Sequence, residues 1–237
     1  MRIGLASYRC KNKDVSFNLH QIERAMQEAQ GQVDLLCFGE AYLQGFDSLC
    51  WDYGADKEMA LEAASDVIMQ LAQWTKEYRT ALLTGYIEKD GDHLYSSCMV
   101  LANGGILHNY RRISKGWKEY WKTDEHYAEG DTVGAFRFHD RSITLALCGD
   151  LWDFPEKFKT DDLLVWPVYV NFSTEEWERK ELAEYAQQAL LAANDVLMVN
   201  PIDSHPINHG GSFHFQNGKI AERIPFDQEK ILIVDLG

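Results

Sequence analysis

The sequence predicts an α/β protein built as a layered sandwich, in which helices cover two sheets, and three observations predict this class. Short apolar runs typical of buried strands alternate with segments whose apolar residues follow helical spacing. Other strands are joined by tight turns, which favours antiparallel hairpins beside the parallel pairs over one purely parallel sheet. The length of 237 residues suits one large unit and no linker-like stretch interrupts it, so we expect a single domain over residues 1–237.

The first third of the chain alternates strands with helices. Apolar residues at Ile22, Ala25, Met26 and Ala29 lie close to helical spacing, whereas the run from Val33 is continuous, as in a buried strand. The predicted elements are a strand at Arg2–Ser7, a helix over 17–30, a strand over 33–38, a long helix over 57–78 and a strand over 81–86.

The rest of the chain adds hairpins to this pattern. Asn103-Gly104 is a strong hairpin turn, and Asp140-Arg141 lies between two further apolar runs. The predicted strands are 93–101 with 105–112, 132–139 with 142–147, Leu163–Pro167, 196–200, 211–218 with 219–224, and Lys230–Asp235, and one helix covers 175–194.

Composition excludes several classes of function. The net charge of −14 argues against binding to a nucleic-acid backbone, and no apolar stretch has the length of a membrane span. The five cysteines show neither CxxC nor zinc-like spacing, and the N-terminus enters a strand with no signal segment. We therefore expect a cytoplasmic protein without a metal site, whose thiols stay reduced.

The stretch that begins at Ile143 is the most informative one. Its apolar run stops at Cys148, and Gly149 and Asp150 follow at once, so a buried strand would present the sulfur at the carboxyl edge of the sheet, where α/β proteins bind ligands. The N–H just past such a turn, that of Gly149, can face a developing oxyanion. A core cysteine at a strand end is the alternative, because free cysteines are often buried.

Two other strand ends carry groups of chemical interest. Glu40 follows the run that begins at Val33, where its carboxylate is either a helix cap or a general base. Arg111, Arg112 and Lys115 follow the strand of the second hairpin, either as solvated cations or as a positive charge beside a nucleophile. A cysteine needs such a base or cation, since its thiol is mostly protonated at neutral pH.

Taken in order, these segments resemble the nitrilase superfamily of carbon–nitrogen hydrolases over essentially the whole chain. The family's glutamate after the second strand matches Phe38-Gly39-Glu40. The segment around its nucleophile matches Cys148-Gly-Asp-Leu-Trp-Asp-Phe-Pro-Glu156, and this is the most specific part of the resemblance. Glu125, just ahead of a Gly-Asp pair, lies where the family has an accessory second glutamate.

The resemblance implies a four-layer αββα sandwich and a cofactor-free Glu-Lys-Cys triad. Glu40 would act as general base, Cys148 would form a thioester acyl-enzyme, and the Gly149 N–H together with a cation would stabilise the oxyanion. Ammonia or an amine would leave, and water would hydrolyse the thioester. Family members usually pair through helices, so the resemblance also implies a homodimer.

The chain departs from the family at the cation. The family's Tyr-Arg-Lys is Tyr110-Arg111-Arg112 here, so that arginine occupies the lysine position, and Lys115 lies three residues further on. Arginine keeps the charge but cannot donate a proton at neutral pH. Because Ser114-Lys115-Gly116 suggests that the strand has already ended, we favour Lys115 as the catalytic cation, with Arg112 as the alternative.

The expected substrate is a small linear amide or N-carbamoyl compound, with amides favoured over nitriles by their prevalence in the family. Trp152 and Trp166, which follow the nucleophile and the next strand, are candidates to line the substrate pocket, although aromatic residues at this density are more often core. Two alternatives remain: a catalytically impaired member that serves as a binding or oligomeric partner, and an acyltransferase that passes the thioester to an amine.

Overall fold

The computed structural model describes residues 1–237 and contains fourteen strands. In chain order they are β1 (Arg2–Ser7), β2 (Leu35–Cys37), β3 (Ala81–Asp90), β4 (His93–Ala102), β5 (Gly105–Arg111), β6 (Ala135–Phe138), β7 (Arg141–Leu145), β8 (Leu163–Pro167), β9 (Asp195–Val199), β10 (Ile202–Ser204), β11 (Ile207–His209), β12 (Ser212–Gln216), β13 (Lys219–Arg223) and β14 (Lys230–Asp235).

Twelve of these strands form two six-stranded sheets. The first sheet has the order β14-β1-β2-β3-β4-β5 and the second the order β13-β12-β9-β8-β7-β6, while β10 and β11 form a separate hairpin. In each sheet the central pairs are parallel and the outer pairs antiparallel: β1 and β3 flank β2 in parallel, and β7 and β9 flank β8 in parallel. The three parallel strands at the centre of each sheet therefore run in the same direction, and all three end at the carboxyl edge of that sheet.

The helices are α1 (Val15–Ala29), α2 (Tyr53–Met59), α3 (Asp66–Glu77), α4 (Asp150–Asp153), α5 (Thr174–Glu176) and α6 (Leu182–Leu190). A 3-10 turn covers Pro155–Phe158, and a π-helical turn at Trp177–Glu181 joins α5 to α6. No helix combines the length and the apolarity that a membrane crossing requires.

Alternation along the strands separates two apolar cores. Leu36 and Leu82 of the first sheet pack in one cluster with residues of α1 and α3, including Ile22 and Leu71. Their strand neighbours point the other way: Leu35, Leu83 and Val100 join a cluster with the second sheet and α6. Since successive side chains of a strand face opposite sides, the layers are helix, sheet, sheet and helix, and the predicted αββα sandwich is confirmed.

The long helix predicted over 57–78 is wrong, because the structure has two helices there. Between α2 and α3, Leu61 pairs with strand β3: its N–H donates to Ile87 O at 2.9 Å and its carbonyl accepts from Lys89 N–H at 3.0 Å. The helical spacing of the apolar residues does not reveal this, since Leu61 satisfies the same pattern while its backbone extends the sheet.

Other differences concern element ends and short elements. The predicted helix over 175–194 is interrupted by the π-helical turn and ends at Leu190, and the predicted strand over 132–139 is limited to Ala135–Phe138. The hairpin of β10 and β11 was not predicted, because its strands have only three residues each and lack an apolar run.

Candidate active site

Glu40 follows β2, and a close backbone approach holds it at the edge of the first sheet. Gly85 of β3 donates its N–H to Gly39 O at 3.1 Å, and a Cβ on Gly85 would lie only 2.5 Å from that oxygen. Glu40 N–H in turn donates to Val168 O at 3.2 Å, in the loop after β8 of the second sheet. The Glu40 side chain is 0% exposed, so its carboxylate lies in the interior of the protein.

Cys148 lies at a sharp turn just after β7, and we call residues 147–150 the elbow. Its φ of 41° is in the left-handed region, which costs energy for a residue with a side chain and is common at functional sites. Two bonds hold this conformation: Cys148 N–H donates to Pro167 O at 2.9 Å, and the indole N–H of Trp166 donates to Cys148 O at 2.9 Å. The sulfur faces Tyr169 O at 3.9 Å.

Arg112 follows β5 and brings a buried guanidinium to the carboxylate. Its Nη1 donates to Glu40 Oε1 at 2.7 Å, its Nε donates to Ser114 Oγ at 2.7 Å, and the side chain is 3% exposed. A Cβ on Gly149 would overlap Nη2, so the guanidinium lies directly over the glycine that follows the cysteine.

Hydrogen-bonding capacity in the site remains unused at three places. Glu40 Oε1 accepts from Arg112 and from Ser96 Oγ (3.1 Å), whereas its buried Oε2 has no partner. Neither Arg112 Nη2 nor the N–H of Gly149 donates to any protein atom. One free acceptor and two free donors therefore remain on Glu40, Arg112 and Gly149, the residues grouped with Cys148.

Burial dominates the electrostatics of the thiol. It raises the pKa of Cys148 to about 12, the charge of Glu40 acts in the same direction, and the charge of Arg112 opposes both. For Arg112, burial acts to lower the pKa, but the negative charges of Glu40, Cys148 and Asp150 outweigh it and raise the pKa above the ordinary value. At neutral pH the site therefore holds a protonated thiol beside a charged guanidinium.

The structure brings Arg112, and not Lys115, to Glu40 and Cys148. Arg112 N–H donates to Ser96 O at 2.9 Å, so the pairing of β5 with β4 continues one residue beyond the strand and directs Arg112 inward. Lys115 is exposed, and its Nζ lies 5.6 Å from the centre of the Tyr120 ring. The preference for Lys115 assumed that the strand has ended by Ser114-Lys115-Gly116. It does end before these residues, but Arg112 is still held by β4 and already places its guanidinium at Glu40.

Three other predicted site residues differ in exposure and in the groups that they contact. Glu125 is exposed, and its carboxylate makes no ion pair or hydrogen bond. Trp166 is fully buried, so it supports the elbow from below instead of lining a pocket. Trp152 is 38% exposed and packs edge-to-face against Tyr185 of α6, with ring centres 5.0 Å apart.

Sequence reasoning missed Ser96, Ser114 and Asp150 as parts of the site. Ser96 could have been found from the predicted hairpin. Ser97 pairs with Arg111 in the β4–β5 register, so Ser96 lies opposite Arg112. Asp150 was quoted only as part of the segment around Cys148, although its carboxylate contacts the loop that carries Arg112.

Beside the site lies a cavity of about 470 Å³, lined by Phe46, Asp47, Tyr169, Asn171, His205 and Pro206. The rings of Phe46 and Tyr169 stack with their centres 4.4 Å apart. Because the carbonyl of Tyr169 also faces the sulfur, the cavity shares a residue with the cluster around Cys148. No group of three or more His, Cys, Asp or Glu side chains is arranged to hold a metal ion.

Comparison with known proteins gives matches to one family. A family model described as carbon-nitrogen hydrolase matches residues 2–236. An (R)-stereoselective amidase from a Pseudomonas species is 25% identical over 158 residues, which are 66% of this chain and 54% of the amidase. A glutamine-dependent NAD(+) synthetase from Thermotoga maritima is 24% identical over 157 residues, 65% of this chain and 26% of the synthetase.

Both curated relatives are much longer than the matched region, so the chain spans about half of the amidase and about a quarter of the synthetase. Among solved structures, an amidase from a Nesterenkonia species superposes with a TM-score of 0.78 at 17% identity, over 100% of this chain and 90% of the amidase. At this identity the superposition shows a shared fold.

Proposed function

The chain belongs to the carbon–nitrogen hydrolase family, and on that premise we propose that it hydrolyses a non-peptide carbon–nitrogen bond of a small linear amide or N-carbamoyl compound. One observation carries the proposal: a half-buried cysteine, a carboxylate with a free oxygen and a buried guanidinium with a free nitrogen lie together in one cluster. The amidase among its relatives supports an amide as the substrate class.

In the proposed first step, Sγ of Cys148 attacks the carbonyl carbon while Oε2 of Glu40 takes the thiol proton. General-base assistance is needed because the raised pKa leaves almost no thiolate at neutral pH. The carbonyl oxygen becomes an oxyanion and accepts hydrogen bonds from the Gly149 N–H and from Arg112 Nη2, the two donors that the protein leaves unused.

The intermediate then collapses and the carbon–nitrogen bond breaks. Glu40, now protonated, gives its proton to the departing nitrogen, so ammonia or an amine leaves and a thioester remains on Cys148. Arg112 cannot supply this proton at neutral pH, and Glu40 is therefore the only proton carrier in the scheme.

Water completes the reaction by the reverse sequence of proton transfers. Glu40 takes a proton from water as its oxygen attacks the thioester, and the second tetrahedral oxyanion occupies the same two donors. Collapse breaks the carbon–sulfur bond, releases the carboxylic acid or carbamic acid, and returns the proton from Glu40 to the sulfur.

Intact mass spectrometry with a panel of short amides and N-carbamoyl compounds tests the proposal. We expect a covalent adduct on the unmodified chain, release of ammonia or amine, and loss of both in Cys148→Ala. No adduct and no product from any compound, with correctly folded protein, would leave the impaired family member as the better description.

The cation is tested by comparing Arg112→Ala with Lys115→Ala. The loss of an oxyanion contact lowers kcat by roughly a hundredfold or more. We therefore expect the kcat of Arg112→Ala to fall by at least that factor, while Lys115→Ala keeps its activity. The opposite result would mean that Lys115 reaches the site when substrate binds.

All five cysteines are free thiols, which suits the reducing cytoplasm that we propose as the compartment.

A further inference from the structure

The carboxylate of Asp150 joins the elbow to the loop that carries the guanidinium. Its Oδ1 accepts from Ser114 N–H at 2.8 Å and from Ile113 N–H at 3.2 Å. Its Oδ2 accepts from Tyr110 Oη at 2.6 Å and from Leu147 N–H at 2.8 Å. Asp150 is completely buried, so no solvent competes for these four bonds.

The four donors come from two separate segments of the chain. Tyr110, Ile113 and Ser114 lie on either side of Arg112, whereas Leu147 immediately precedes the nucleophile. An ionised carboxylate only accepts hydrogen bonds, and every group around Asp150 donates one. The arrangement therefore fits a carboxylate and no amide or hydroxyl side chain.

Asp150 also determines the surroundings of the guanidinium indirectly. Ser114, whose N–H it holds, provides the Oγ that accepts from Arg112 Nε at 2.7 Å. Gly149, whose missing Cβ leaves room for Nη2, is its immediate neighbour in the elbow. A shift of either segment relative to the other would move Nη2 with respect to the N–H of Gly149.

We propose that Asp150 is a positioning residue of the reaction, whose carboxylate fixes the Arg112 loop to the elbow so that the guanidinium and the Gly149 N–H meet on one oxyanion. The inference rests on the proposed function, since it concerns the same site. It differs from a merely structural role in one consequence: the effect that loss of Asp150 has on the Cys148 thiol depends on whether Arg112 is present.

Asp150→Asn tests this with two readouts, amide turnover and the pH profile of Cys148 alkylation by iodoacetamide. The variant places an NH2 group against donors, so the loop separates from the elbow. We expect kcat to fall by about tenfold or more with a smaller change in KM, as for a displaced catalytic group. Loss of the Asp150 charge by itself moves the alkylation profile to lower pH, whereas the greater distance of the guanidinium from the sulfur moves it to higher pH.

The double variant Arg112→Ala/Asp150→Asn separates positioning from general damage. If Asp150 acts through Arg112, the double variant is no slower than Arg112→Ala. In the Arg112→Ala background, Asp150→Asn then moves the alkylation profile further toward lower pH than it does in the unmodified chain, because only the charge effect is left there. Fully multiplied losses of turnover, or a shift of the alkylation profile that is the same with and without Arg112, would overturn the inference.

Tyr110→Phe provides a second variant if Asp150→Asn does not fold. It removes one of the four donors and keeps the carboxylate and its charge, so we expect the displaced guanidinium alone to move the alkylation profile to higher pH. Tyr78→Phe is the matched control, because its hydroxyl bonds Gln27 and Glu23 away from the site. The alkylation readout needs no turnover: an unmodified chain that hydrolyses no amide would count against the proposed function, and the profiles would still decide the role of Asp150.

Discussion

At Cys148 the buried environment and the charge of Glu40 both act against the thiolate, and Arg112 only partly compensates. The thiol of Cys148 is therefore protonated at neutral pH. Glu40 has two roles that oppose one another, since its charge raises the pKa of the thiol while its free oxygen is the group that can accept the thiol proton.

Alkylation kinetics test this balance at the residue scale. Iodoacetamide reacts with the thiolate, so alkylation of Cys148 is expected to be slow at neutral pH and to accelerate as the pH rises toward about 12. Glu40→Gln removes the negative charge, lowers the pKa of the thiol and makes alkylation in mild base faster, although amide turnover is lost. Adduct mass against time, with Cys148→Ala as blank, measures both, and an unchanged profile in Glu40→Gln would contradict the electrostatic role.

Gly149→Ala, which adds one methyl group, is expected to lower amide turnover without unfolding the chain. Its Cβ would overlap Arg112 Nη2 and push the guanidinium from the oxyanion position, so kcat should fall by roughly a hundredfold. Gly105→Ala is the matched control, because a Cβ there meets no atom within 4 Å. Equal activities of the two variants in a steady-state assay would show that Nη2 has no part in the reaction.

At the scale of elements, the loop after β8 is held by two hydrogen bonds between Asn200 and Val170, which we call the clamp. Asn200, which follows β9, donates to Val170 O at 2.8 Å and accepts from Val170 N–H at 3.0 Å. The same loop provides Val168 O to Glu40 N–H and Tyr169 O to the sulfur, so the clamp supports both halves of the catalytic pair.

Asn200→Ala is expected to lower stability and activity together. It leaves a buried N–H and a buried carbonyl of Val170 without partners, at a cost of about 2–4 kcal/mol in the free energy of unfolding. Denaturant titration gives that energy, and activity per folded molecule gives the effect on the site. Asn194→Ala, an exposed side chain without a hydrogen bond, should change neither, and similar losses in both variants would refute the clamp.

On the scale of the whole molecule, we propose a homodimer that forms through the helical layer of the second sheet. Large apolar side chains are exposed there: Trp152 of α4 at 38%, Leu190 at the end of α6 at 40%, and Leu191 at 52%. Large apolar side chains exposed together on one layer are typical of protein interfaces.

Leu190→Glu/Leu191→Glu tests the dimer. We expect sedimentation velocity to show a dimer for the unmodified chain and a monomer for the double variant, because buried unpaired charges oppose association. Met69→Glu, on the outer face of the opposite helical layer and 57% exposed in the unmodified chain, should leave the dimer intact. A monomeric unmodified chain would rule the interface out.

Most of the architecture could be predicted because each buried strand is an apolar run and each hairpin has a turn that the sequence shows, as at Asn103-Gly104. The family motif likewise placed Glu40 and Cys148 at strand ends, and the structure brings them together with Arg112. Lys115, Leu61 and Trp166 show the limit: whether a strand continues by one residue, or a leucine joins a sheet, is decided by partners far away in sequence.

The proposed catalytic pair is divided between the two sheets, with Glu40 at the edge of the first and Cys148 at the edge of the second. Either sheet alone, however well formed, holds only half of the chemistry. Amide turnover therefore reports whether the two sheets are packed together correctly. During refolding we expect it to return only with the step that brings the sheets face to face. A chain that regains its circular dichroism before its activity would reveal an interval in which both halves exist and the enzyme does not.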